Sequence, residues 1–185
     1  MLRASTSSGP ESSDQDYDSL KAARQTLGKK QKYLDAANQD LDTLLEKEPK
    51  PLPSEIAKAK RDVAEAKRDV AEEERGVAKA ALEAFLKNNP RPSSSDAAAT
   101  KDFNAKEGQL QLNVAQAEWN LAKADLAFAQ ARNAPDVDLE QKRKAEEVCR
   151  AVVERLVAAP GPGECAFLYL FTSLQQSFFI LFEHC

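Results

Sequence analysis

Residues Lys60 to Ala80 read KRDVAEAKRDVAEEERGVAKA, and this stretch decides the fold class. It repeats one seven-residue pattern three times, with valine at Val63, Val70 and Val77. A seven-residue apolar repeat predicts a helix that packs along one stripe. The surrounding charged pairs contribute only about 0.2–0.5 kcal/mol each, whereas burying one valine contributes about 1.5 kcal/mol or more. The valines therefore determine which side of this helix is covered.

The whole chain has the composition of a protein made of long helices. It has 185 residues, of which 30% are charged and 6% aromatic, and it is rich in alanine. Such a composition with seven-residue spacing is typical of coiled coils and long helices. The formal net charge is −4, whereas binding to phosphate backbones requires clustered lysine and arginine. We therefore expect a protein partner, either a second copy or another helical protein, and no nucleic acid.

Prolines divide the helical sequence into four segments. Proline lacks a backbone donor and restricts the residue before it, so PKPLP at 49–53, NPRP at 89–92 and Pro135 each end a helix. The sequence predicts helices at about 14–48, 54–88, 97–133 and 138–158, with Ser12 or Ser13 capping the first and Ser54 the second. Short connections between long helices predict antiparallel neighbours.

These elements predict an all-α protein. We expect residues 14–158 to form an antiparallel helical bundle or coiled-coil rod of about four long alanine-rich helices. A disordered segment, residues 1–13, is expected before it, because this segment is rich in serine. A proline- and glycine-rich breaker at 159–164 separates the helices from a hydrophobic tail at 165–185.

The first helix carries a leucine at every seventh position, at Leu20, Leu27, Leu34 and Leu41. A DNA-binding leucine zipper needs a cationic helix directly before its leucines. The residues before Leu20 contain more acidic than basic side chains. We therefore interpret the column as ordinary helix packing.

Two apolar columns run along the third helix. The first alternates large and small side chains and includes Leu110, Val114, Leu121 and Phe128. The second lies near the opposite side and contains Leu112, Trp119 and Leu126. A helix that is apolar on two sides needs neighbours on both. We expect this helix in the middle of the assembly, with the second column contacting a partner or the tail.

The fourth helix has one apolar side, which includes Cys149, Val152 and Leu156. A cysteine within an apolar stripe is typical of a buried structural thiol. A nucleophilic thiol would need a base beside it, and the single histidine, His184, lies one residue from the end of the sequence. We therefore interpret Cys149 as a packing residue.

Residues 166–182 read AFLYLFTSLQQSFFILF and differ in character from the rest of the chain. Their apolar positions follow helical spacing, which predicts a packed amphipathic helix or a helix that contacts a membrane. The membrane-contacting positions would be Phe167, Phe171, Leu174, Phe178 and Leu181. Two further interpretations stay open: a pair of strands with a tendency to aggregate, and a non-physiological end produced by a wrong gene model.

The sequence predicts a non-enzymatic protein without a metal or cofactor. One histidine excludes a Ser-His-Asp triad and a histidine-rich metal site, and no phosphate-binding glycine motif occurs. Three cysteines without a paired motif favour an intracellular, cytoplasmic location. We expect a scaffold or adaptor that acts through helix–helix association. The alternative is a membrane-tethering protein, attached through the tail.

Overall fold

The described part of the chain is made of four long helices. The computed structural model describes the backbone of residues 11–158 and the side chains of residues 18–158. The helices are α1 (Glu11–Glu46), α2 (Pro53–Asn88), α3 (Ala97–Ala131) and α4 (Asp136–Ala158), and residues 11–158 contain no strand. For residues 11–158 the prediction of an all-helical fold with four packed helices is confirmed. The breaker, the tail and most of the predicted disordered N-terminal segment lie outside the described residues.

The first two helices begin earlier than predicted. Ser12 and Ser13 lie inside α1, which begins at Glu11, so neither is the cap that we predicted. Ser54 lies inside α2, because Pro53 already occupies the first helical position. Proline is favoured there, because its fixed φ suits the helix and a backbone N–H at this position would have no acceptor within the helix. The carboxylate of Glu55 accepts a hydrogen bond from the backbone N–H of Leu52 at 2.9 Å.

Polar residues define both ends of α3. The side chain of Asp96 accepts a hydrogen bond from the backbone N–H of Ala99 at 3.0 Å and caps the first turn. After Ala131, Asn133 adopts a left-handed conformation with φ of 54°. Asparagine tolerates this conformation, which commonly ends a helix. The chain then reverses into α4 at Asp136.

The helices pack in chain order. α1 contacts α2, α2 contacts α3, and α3 contacts α4, while the described residues of α1 contact neither α3 nor α4. The pairs Lys79–Glu118 and Arg68–Asp125 show that α2 and α3 are antiparallel, because residue numbers rise along one helix as they fall along the other. The four helices therefore form one layer, with α2 and α3 inside and α1 and α4 at the edges.

The valine–alanine repeat of α2 is buried on two sides of the helix. Val63 and Ala64 are both buried, and so are Val70 and Ala71, although adjacent residues on a helix point about 100° apart. The Ala64 side carries Arg68, which reaches α3. The opposite side carries Ala66, the most buried residue at 1% exposed, and Asp69, which reaches α1. Each repeat thus supplies contacts for two neighbouring helices.

The described core is thin and made mainly of small side chains. Its buried apolar residues are Val63, Ala64, Ala66, Val70, Ala71, Phe103, Val114, Ala115, Ala117, Ala129, Cys149 and Val153. None of them comes from α1, which contacts α2 and carries half-buried leucines. Small side chains allow helix backbones to approach closely, so α2 and α3 can each contact two neighbours.

Candidate functional site

The residues predicted to pack the helices lie at different depths. Val63, Val70 and Val114 are buried. The others are half-buried: Leu20, Leu27, Leu34, Leu41, Val77, Leu110, Leu121, Phe128, Val152 and Leu156. Leu112, Trp119 and Leu126 are also half-buried, and α4 packs against α3 at Trp119. The tail residues Phe167, Phe171, Leu174, Phe178 and Leu181 lie outside the described residues.

An ion pair connects α1 to α2. The Lys30 ammonium lies 2.6 Å from the Asp69 carboxylate, and both side chains are partly exposed. The hydrogen bond and the negative charge of Asp69 raise the pKa of Lys30 above its ordinary value of 10.5. Because exposed ion pairs contribute little to stability, this contact shows which parts of α1 and α2 lie side by side and is not a main source of stability.

A second group of charges joins three helices. Asp125 on α3 lies 3.3 Å from the Arg68 guanidinium on α2 and 3.7 Å from the Lys142 ammonium on α4. Arg68 and Arg132 also lie over the Phe128 ring, at 5.5 and 5.7 Å from its centroid. We call these five residues the Asp125 cluster. It connects α2, α3 and α4 at one level of the layer.

Trp119 is the polar link between α3 and α4. Its indole N–H donates a hydrogen bond to the Glu146 carboxylate at 2.6 Å. The Lys123 ammonium lies 4.8 Å from the centre of the same ring. Trp119, one of the three residues that we predicted to contact a partner or the tail, is therefore in contact with α4.

Aromatic side chains close the α2–α3 connection. Phe85 and Phe103 have ring centroids 5.1 Å apart. The Arg91 guanidinium lies over Phe103 at 5.6 Å and binds the Glu107 carboxylate at 2.8 Å. Sequence reasoning missed this group, because its members come from two helices and a linker. The signal available was an aromatic residue near each end of the connection.

Cys149 is buried, at 7% exposed, on the side of α4 that faces α3. Burial raises the pKa of its thiol to about 11, and the charges of Glu118 and Glu146 act in the same direction. The thiolate is the reactive form of cysteine. At neutral pH Cys149 is therefore a protonated packing residue.

The raised pKa of Cys149 makes stability depend on pH in the alkaline range. The unfolded thiol loses its proton near pH 9.0, whereas the folded thiol holds it to about pH 11. The folded state binds more protons in this window, so stability falls as the pH rises. We expect a loss of about 2 kcal/mol between these two values. Urea denaturation followed by circular dichroism at each pH measures it.

Cys149→Ala is the control for this measurement. The variant has no thiol at this position, so its stability should fall less over the same pH window. Every other titratable group is present in both proteins, so its contribution to the pH dependence of stability cancels in the comparison. Equal slopes for the two proteins would contradict the assignment.

The described residues also limit the chemistry of a site. Residues 18–158 contain no group of three histidine, cysteine or acidic side chains that could hold a metal ion. No polar or charged side chain in this range is buried. None of the four described helices is long and apolar enough to cross a membrane. Comparison with protein-family models, curated proteins and solved structures finds no match.

Proposed function

We propose that this chain is a non-enzymatic structural or adaptor protein that acts through helix–helix association. One observation carries the proposal: the described helices form a single layer in which each contacts only its neighbours in the chain. Such a layer leaves two broad faces, the sides of α2 and α3 that no neighbouring helix covers. Each inner helix is about 50 Å long at 1.5 Å per residue. These faces are long enough to receive a partner helix.

The arrangement of charge supports the same proposal. Ion pairs connect α1 to α2, α2 to α3 and α3 to α4. Contacts between all neighbouring helices favour a preorganised layer, and preorganised surfaces lose less entropy when they bind. The seven-residue repeat of α2 further supports a rod with coiled-coil packing.

Photo-crosslinking inside cells tests the partner contact. A photoreactive amino acid is placed at Lys67 on α2 or at Gln109 on α3, both exposed. The matched control is Lys32, which is exposed on α1 and lies about 200° from the half-buried Leu34. We expect discrete protein adducts from the two inner-helix positions and none from Lys32. Adducts of equal yield from all three positions would contradict a specific face.

The alternative proposal is membrane tethering through residues 166–182, and it rests on the composition of that segment. Flotation with liposomes separates the two proposals, using the full chain and a chain that ends at Ala159. Under the adaptor proposal neither protein floats. If the full chain floats and the shorter one does not, the tethering proposal replaces it.

A further inference from the structure

The last described helix leaves valines exposed on a side that α3 does not cover. Its side toward α3 is buried at Cys149 and Val153. Val148 is nevertheless 44% exposed and Val137 is 72% exposed. Val137, Val148 and the half-buried Val152 lie three turns and then about one turn apart, so they share one side of α4, with the exposed Gln141 and Lys144 between the first two. We call the three valines the valine stripe.

We propose that residues 166–182 fold back along α4 as an antiparallel fifth helix that covers the valine stripe. The packing order of the fold supports this occupant. α2, α3 and α4 each pack against the helix before them across a short connection. The Pro- and Gly-rich residues 159–163 provide a connection of the same kind after Ala158. The next apolar helical sequence in the chain is 166–182.

The lengths match. Seventeen helical residues extend about 25 Å, and α4 from Val137 to Ala158 extends about 31 Å. A segment that reverses after Ala158 therefore runs past Val152 and Val148 and approaches Val137. The tryptophan column of α3 is a weaker candidate for the same segment, because Trp119 already contacts α4.

The chemistry of the two surfaces is complementary. The segment places large apolar side chains at helical spacing, at Phe167, Leu170, Phe171, Leu174, Phe178, Leu181 and Phe182. Glu164 and Glu183 flank this run. On α4 the valine stripe is flanked by Arg155, an exposed arginine for which residues 18–158 provide no ion-pair partner. In the antiparallel orientation Glu164 lies toward Arg155.

Hydrogen exchange of the full chain, measured by mass spectrometry on peptides from 166–182, tests the proposal. We expect exchange slower than that of an unstructured peptide by about tenfold or more. Val148→Asp places a charge in the covered stripe and should abolish this protection. Leu86→Asp on α2 is the matched control, because Leu86 is 42% exposed and lies on a different helix. It should leave the protection unchanged.

Each of the other outcomes overturns the proposal. Unprotected residues 166–182 in the unaltered protein would show that nothing covers the stripe. Protection that survives Val148→Asp would place the segment elsewhere. Protection lost on dilution would indicate a second copy as the occupant, and protection that needs phosphatidylcholine vesicles would indicate a lipid surface. The partner contact proposed above does not depend on the result, because it uses α2 and α3.

Discussion

Replacing Phe103 with alanine is expected to lower the free energy of unfolding by about 3–5 kcal/mol. Phe103 is the largest buried side chain described, at 8% exposed, in a core made mainly of alanine and valine. Its ring packs on Phe85 and lies under the Arg91 guanidinium. Removing the ring leaves a cavity that the surrounding structure fills only in part. Urea denaturation followed by far-ultraviolet circular dichroism measures the loss.

Leu86→Ala is the control for Phe103→Ala. Leu86 is adjacent to Phe85 but is 42% exposed. Truncating it should change the free energy of unfolding by about 0.5 kcal/mol or less, as for most surface substitutions. Similar losses from Phe103→Ala and Leu86→Ala would mean that the aromatic group does not hold the α2–α3 connection.

The four helices could be predicted from the sequence because proline acts locally. Pro53 and Pro135 restrict the backbone beside them whatever the tertiary structure is. The starts of α1 and α2 were less predictable, because Ser12, Ser13 and Ser54 can cap a helix or lie within one. Whether such a serine caps the helix or lies within it depends on the residues before it. At α2, Pro53 occupies the first helical position, so Ser54 lies within the helix.

The order of the helices in the layer could be predicted only in part. The two apolar columns of α3 indicated neighbours on both sides. On α2, reasoning from the valine column missed the buried side that contains Ala64 and Ala71. Alanine has the highest helix propensity and therefore occurs at exposed as well as buried helix positions, so its identity alone does not show which side is buried. The Asp125 cluster was missed for a related reason: charges at helical spacing do not show which of them meet across helices.

Replacing Ala66 with aspartate is expected to detach α1 from the rest of the layer. Ala66 is 1% exposed, on the side of α2 opposite Arg68. A carboxylate there would be buried without a partner, which costs about 3–5 kcal/mol. Because the described part of α1 contacts only α2, it has no second neighbour to hold it. We expect the helical content to fall by the fraction that α1 contributes. The fluorescence of Trp119, which reports the α3–α4 contact, should be retained.

Ala57→Asp on the same helix is the control for Ala66→Asp. Ala57 is exposed, and the two substitutions carry the same intrinsic helix cost of about 0.7 kcal/mol or less. The difference between them therefore isolates burial. If α1 shared one core with α3 and α4, helicity and Trp119 fluorescence would be lost together in Ala66→Asp. A loss of helicity without a loss of Trp119 fluorescence would show that α1 unfolds alone. This outcome is expected because α1 is joined to the other described helices only through α2.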